Sequence, residues 1–136
     1  IGEACGGQER PVTVLLGDLA FLHDVGALAL ARSWEIGLTL VVVDNGGGGL
    51  FERLPIAAHE TAFENYFRTP HGQDLQAIAA GFGVPVVRCR DLRSLHERLA
   101  NPSSQQGPCV ILAEVQPGSG MKHRHRLVQD LEAKLS

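Results

Sequence analysis

The sequence predicts a doubly wound α/β domain, with a mainly parallel sheet covered by helices on both faces. Four short apolar runs, "PVTVLL" (11–16), "LTLVVV" (38–43), "VPVVRC" (84–89) and "CVILAEV" (109–115), are near-continuous rather than alternating. That is the pattern of strands buried on both sides in a parallel sheet. Helical patterns lie between the runs, so the strands are joined by crossovers, which are right-handed almost without exception. At 136 residues the chain can bury one core and is too short for two ordinary domains, so residues 1–136 are read as one domain.

Taken in order, the strand at 11–16 is followed by "FLHDVGALALARSW", Phe21 to Trp34, whose Ala and Leu content predicts a helix that Gly37 could end. The strand at 38–43 runs into Gly46 to Gly49, the one low-complexity tract. "DLQAIAAGFG", from Asp74, has an acidic N-cap and a terminal glycine and reads as a short helix. "DLRSLHERLANP" begins with an equivalent cap at Asp91, carries apolar Leu92, Leu95 and Leu99, and stops at Pro102. "NPSSQQGP" (101–108) is a polar loop rather than a boundary, because the strand after it is needed to complete the sheet. The tail, Met121 to Leu135, places Leu127, Val128, Leu131 and Leu135 on one face of a last amphipathic helix.

Composition narrows the function classes. Hydrophobic residues at 44% and charged residues at 20% are ordinary for a globular protein. No stretch approaches the roughly 20 apolar residues of a membrane span. A net charge of −3 argues against a general polyanion binder. The one basic cluster, "MKHRHR" from Met121 to Arg126, reads as the solvated first turns of the last helix. Cys5, Cys89 and Cys109 lack metal-site spacing, and the last two sit in apolar runs, as reduced packing residues of an intracellular protein would. "IGEACGGQERP" has no secretory pattern, and an apolar start without an initiator Met is expected of a piece of a longer chain.

The chemistry concentrates at two strand ends. The first strand ends in Gly17-Asp18 and the second in Asp44-Asn45-Gly46. In a parallel sheet these ends lie on one edge, where open α/β sheets bind ligands. A carboxylate from Asp18, an amide oxygen from Asn45 and a main-chain carbonyl from the glycine loop form an oxygen-only, incomplete shell, which suits Mg²⁺ with a phosphorylated ligand. Glycines 46 to 49 can adopt positive φ, approach a ligand closely and aim N–H groups at an anion. The plainer reading, with Asp18 as a helix cap and the glycines as a mobile turn, suits either feature alone but not both at this spacing.

"GDL" (17–19), then 24 residues, then "DN" (44–45) resembles the motif of thiamine diphosphate-dependent enzymes, Gly-Asp-Gly followed after a comparable spacer by Asn-Asn. Within that family, "GDLAFLHD" (17–24), "DNGGGGLFERLPI" (44–56) and "TPHG" (69–72) are most similar to a branch that decarboxylates a 2-oxoacid and transfers the carbanion equivalent to a second substrate. The resemblance is strong from about Pro11 to Gly83 and weaker beyond. It implies a thiamine diphosphate-binding fold at the C-terminal end of a larger transferase, with Asp18, Asn45 and the Gly47 carbonyl holding Mg²⁺ or Mn²⁺. Gly17, Asp18, Leu19, Asn45, Gly46, Gly47, Gly48, Gly49 and Leu50 would contact the cofactor. Leu50 matches the aliphatic wedge that bends it into a V, and Leu50, Phe51 and Leu54 would line the substrate pocket.

Two positions depart from the general motif. Leu19 replaces its last Gly, as in the branch resembled. Asp44 stands where the first Asn is usual and adds negative charge near a diphosphate, tolerable if its side chain points away or meets a partner. His23 and His71 are weaker ligand candidates, and Glu114, inside a strand, reads as an edge or satisfied residue. No catalytic residue is assigned in this chain. The resemblance places the glutamate that acts on the aminopyrimidine ring on a pyrimidine-binding domain, usually of a second subunit, in a dimer or tetramer. It implies a cytoplasmic enzyme, or a plastid one in a photosynthetic eukaryote. Another thiamine diphosphate enzyme, acetolactate synthase-like or a 2-oxoacid decarboxylase, and a non-catalytic phosphate- or nucleotide-binding module remain as alternatives. Against the last stands the absence of G-x-G-x-x-G after the first strand.

Overall fold

A computed structural model describes Gly2, residues 12–100 and residues 107–135, apart from the side chains of Arg53, Met121, Lys122 and Leu135. Cys5 and the Pro102 stop lie outside these residues. The elements in chain order are β1 (Val12–Gly17), α1 (Asp18–His23), α2 (Ala27–Ser33) and β2 (Leu38–Asp44). Two 3₁₀ turns follow, Leu50–Arg53 and Pro55–Ala58, then α3 (Glu60–Phe63), which widens into a π-type turn at Glu64–Arg68. The chain continues with α4 (Leu75–Gly81), β3 (Val86–Cys89), α5 (Leu92–Ala100), β4 (Cys109–Glu114) and α6 (Ser119–Leu135). The chain forms two compact units. One runs to Asp44 and resumes from Gly72 to Glu114; the other comprises Asn45–His71 and the chain from Val115 onward.

The first unit holds the sheet. Its four strands run in the order β1-β2-β4-β3 and every pairing is parallel, as the apolar runs require. Alternate residues of each strand serve opposite faces. Leu40 and Val42 of β2, with Val110 and Leu112 of β4, pack under Phe21 of α1, Leu28 of α2, and Leu75 and Ala79 of α4. On the other face, Val41, Ile111, Val87 and Cys89 pack against Leu95 of α5. Helices therefore cover both faces at β2 and β4, but not at the edge strand β1, where Leu15 is 73% exposed and the two-sided burial expected of that run is not found. The winding runs β1 to β2 to β3 across the sheet and then reverses into β4, and the crossover helix changes face at that reversal, as a constant right-handed connection demands. Cys89 and Cys109 are buried free thiols.

The caps follow the residues expected. Asp74 Oδ1 accepts the N–H groups of Gln76 (3.0 Å) and Ala77 (3.2 Å). Asp91 Oδ1 accepts that of Ser94 at 2.7 Å, and the bond lowers the Asp91 pKa. Each satisfies amides that the first turn leaves without intrahelical partners.

One element differs. The single helix expected at Phe21 to Trp34 begins three residues earlier, at Asp18, and is split by a turn at Asp24–Gly26. Gly17, extended at φ −85° and ψ 165°, passes directly from strand to helix, so there is no loop for the sequence to signal. Asp24 and Gly26 are poor helix formers, and the Ala27 N–H closes on the Asp24 carbonyl at 2.9 Å. Trp34, not Gly37, caps the second half. In the second unit, α6 includes the basic cluster; His123 to Arg126 are exposed, as are Leu127, Val128 and Leu131. Among the described residues no helix is long and apolar enough to cross a membrane.

Candidate functional site

The β1–β2 register sets Gly17 opposite Val43. One step further along both strands, Asp18 and Asp44 share the sheet's C-terminal edge. Asp18 opens α1 and is 3% exposed, a buried charge among otherwise apolar core residues. Its Oδ1 accepts the Leu19 N–H at 2.7 Å, and an acid in a first helical turn complements the helix dipole. A carboxylate oxygen of Asp18 lies within 4.8 Å of one of Asp44. Two like charges at that spacing repel by roughly 1 kcal/mol in water and about 3–4 kcal/mol at an effective dielectric of 20. Asp44 thus turns towards Asp18, not away from it.

Glu114 stands opposite Asp44 across the β2–β4 pairing. Arg88 Nη1 donates to it at 2.9 Å and Arg90 Nε at 2.8 Å, while Arg88 also reaches Asp74 (2.8 Å) and Gln76. Glu114 is therefore a satisfied residue, as its place in a strand suggested. The Arg90 hydrogen bond, helped by Arg88, holds its carboxyl below the usual value of 4.5 despite the opposing effect of burial.

In the second unit, Asn45 and the glycines form a loop tucked against residues 67–70. Gly46 has φ 79° and Gly47 φ 140°, conformations that residues with a Cβ rarely adopt. A Cβ on Gly47 would fall 2.8 Å from the Arg68 carbonyl oxygen and 2.9 Å from that of Thr69; one on Gly48 would fall 3.0 Å from the Phe67 oxygen. The Gly48 N–H donates to the Arg68 carbonyl and the Gly49 N–H to that of Gly47. Those two amides therefore serve the loop itself rather than pointing outward at an anion, because four glycines supply no side chains to hold the backbone. Immediately after the loop, Leu50, Phe51 and Leu54 are 66%, 40% and 48% exposed, which excludes simple core packing and suits a ligand or partner surface. His23 is exposed and His71 half-buried.

The fold and this strand-end chemistry together define a class. The model of the thiamine pyrophosphate enzyme C-terminal TPP binding domain matches residues 1–113, and the chain belongs to that family. Among curated relatives, it is 42% identical over 106 residues to the 2-succinyl-5-enolpyruvyl-6-hydroxy-3-cyclohexene-1-carboxylate (SEPHCHC) synthase of Chlorobium limicola, covering 78% of this chain and 18% of the relative. It is 49% identical over 78 residues to the synthase of the same name from Prosthecochloris aestuarii, covering 57% of this chain and 14% of the relative. The chain thus spans less than a fifth of the length of these relatives. The thiamine diphosphate-dependent 4-hydroxybenzoylformate decarboxylase of Rhodococcus jostii RHA1 shares the fold, with TM-score 0.73 at 20% identity over 86% of this chain and 22% of that one. So does the benzoylformate decarboxylase of Polynucleobacter necessarius, with TM-score 0.69 at 23% identity over 85% and 21%.

Sequence reasoning identified both strand ends and the need for glycine and singled out "TPHG" from Thr69, but gave residues 67–70 no part in holding the loop. Arg68 carries no ligand-type signal; the i, i+4 spacing of Glu64 and Arg68, paired in the structure, is the sequence feature that could have pointed to an ordered turn.

Two measurements check this geometry. A carboxyl whose folded pKa is lowered stabilises the fold above its unfolded value and loses that contribution as pH falls through the folded one. Stability is accordingly expected to drop on acidification below about 4.5, and Arg90→Ala to reduce the part of that drop due to Glu114, in urea titrations across pH. Gly47→Ala meets both a positive φ and carbonyl contacts, and is expected to cost more than about 1 kcal/mol in the same assay.

Proposed function

We propose that this chain is the diphosphate- and metal-binding domain of a SEPHCHC synthase. The complete enzyme decarboxylates 2-oxoglutarate and adds the succinyl carbanion equivalent to isochorismate, in menaquinone or phylloquinone biosynthesis. The observation that carries the reading is the buried Asp18 carboxylate at the C-terminal edge of a parallel sheet, beside Asp44, in a chain of the thiamine pyrophosphate enzyme family. The relatives' shared name supports the particular reaction.

Thiamine diphosphate, when bound, supplies the electron sink for decarboxylation and carbon–carbon bond formation. The residues here fit its metal. Asp18, the Asn45 side chain and the Gly47 carbonyl are hard oxygen donors that would hold Mg²⁺ or Mn²⁺ and leave positions for phosphate oxygens and water. Asp44 adds a second carboxylate nearby, so a bound cation would experience more negative charge than in the usual Asn-Asn motif. Gly17, Leu19, Gly46, Gly48 and Gly49 would give the diphosphate close backbone approach. Leu50 would press against the bound cofactor, and Leu50, Phe51 and Leu54 would shape an apolar substrate pocket and exclude water. The glutamate acting on the aminopyrimidine ring would come from a pyrimidine-binding domain of a second subunit, in a homo-oligomer working in the cytoplasm, or in the plastid of a photosynthetic eukaryote. These 136 residues on their own would be inactive.

In the complete enzyme, Asp18→Ala and Asn45→Ala are each expected to weaken Mg²⁺-dependent thiamine diphosphate binding by at least about tenfold, read by calorimetry. Wild-type affinity in both variants would refute the metal assignment. Turnover of pyruvate in place of 2-oxoglutarate and isochorismate would instead move the enzyme to another branch of the family.

A further inference from the structure

The glycine loop is held by a residue that the chemistry above does not use. Arg68 closes the π-type turn after α3, and Thr69, next in the chain, adopts a left-handed conformation at φ 44° and ψ 59°. Such a backbone is unfavourable for a β-branched residue and persists only where its surroundings enforce it. It accompanies a main chain whose Arg68 carbonyl receives the Gly48 N–H and, with the Thr69 carbonyl, lies where a Cβ on Gly47 would have to go.

The Arg68 side chain is held as firmly as its main chain. Its Nη2 lies 2.9 Å from Glu52 Oε1, and its Nε lies 2.8 Å from Glu64 Oε1 in an ion pair not aligned as a hydrogen bond. The guanidinium carbon sits 5.8 Å from the centre of the Phe63 ring. Glu52 is only 14% exposed and belongs to the 3₁₀ turn that carries Leu50 and Phe51. The Phe51 ring also meets Phe67 edge-on, with centroids 5.8 Å apart at 79°. Arg68 therefore links three pieces of backbone: the glycine loop, the turn directly after it and the turn that contains Arg68 itself.

We propose that Arg68 is a positioning residue for the cofactor loop. By fixing Gly47 and Gly48 from below and the Leu50–Arg53 turn from the side, it orders the loop before the diphosphate arrives. Glycine loses more freedom on ordering than any other residue, so a run of four would otherwise charge that loss to binding. With Arg68 in place the loss falls on folding instead. The inference rests on the reading that this loop receives the cofactor's diphosphate.

The test uses the complete enzyme as wild type, Arg68→Met, Arg68→Lys, Glu52→Gln and Asp18→Ala. It measures the Kd for thiamine diphosphate at saturating Mg²⁺ and the Tm without cofactor. Arg68→Met, which keeps length and loses charge, is expected to raise Kd about tenfold with a cofactor-free Tm close to wild type. Arg68→Lys, which preserves one charged contact, is expected to recover most of that loss. Glu52→Gln is expected to raise Kd in the same direction, and the double variant Glu52→Gln with Arg68→Met to lose less than the sum of the two. Should Arg68→Met not fold, the rise in Kd of Glu52→Gln supports the proposal and its absence overturns it. Wild-type Kd in Arg68→Met while Asp18→Ala loses binding would overturn the positioning role and leave the metal reading intact. A fall in Tm that tracks the rise in Kd and is not rescued by lysine would also overturn it, because Arg68 would then serve the fold alone. Wild-type binding by Asp18→Ala would overturn the underlying reading instead.

Discussion

Everything at this site depends on two acids being delivered to one edge by adjacent parallel strands. Gly17 faces Val43 in the β1–β2 ladder, and the residues that follow are Asp18 and Asp44. The same parallel pairing that joins β1 to β2 therefore places the carboxylates. Two carboxylates held this close, one of them buried, repel each other, and a cation between them would offset that repulsion. The neighbouring Glu114 meets positive charge within the protein through Arg88 and Arg90, and in the proposed reading a bound cation would bring further positive charge to the two acids.

The glycine loop answers a different physical problem. Its backbone must turn sharply directly after a stiff strand of three valines and then lie flat on another segment. Gly46 and Gly47 meet the first need through positive φ, and Gly47 and Gly48 meet the second because no Cβ fits against residues 67–70. The exposed Leu50, Phe51 and Leu54 follow at once. A loop with no side chains of its own is given definition by what it rests on, which is why Arg68 and Thr69 matter although neither resembles a ligand.

Much of this was legible in the residues. The near-continuous apolar runs identified all four strands and their parallel pairing, and Asp74 and Asp91 announced their helices because a carboxylate before an apolar run has a specific use at a helix start. The direct passage from β1 into α1 was not legible, since Gly17 carries no loop signal and Asp18 reads equally as cap or ligand. Nor was the break at Asp24–Gly26, where Ala-rich flanks masked two weak helix formers. The direction of the Asp44 side chain was open too, because a strand end does not decide which way its last residue points. The role of Arg68 depends on Glu52, which is distant from it in sequence and meets it only through the fold.

The central claim is that Asp18 and Asn45 are ligands of one cation that anchors the cofactor. The most direct measurement is anomalous diffraction from crystals of the complete enzyme grown with Mn²⁺ and thiamine diphosphate. The account predicts a single strong peak at about 2.1–2.2 Å from a side-chain oxygen of each residue, as expected for a small divalent cation. A bound cofactor whose Mn²⁺ peak lies away from both side chains would contradict it.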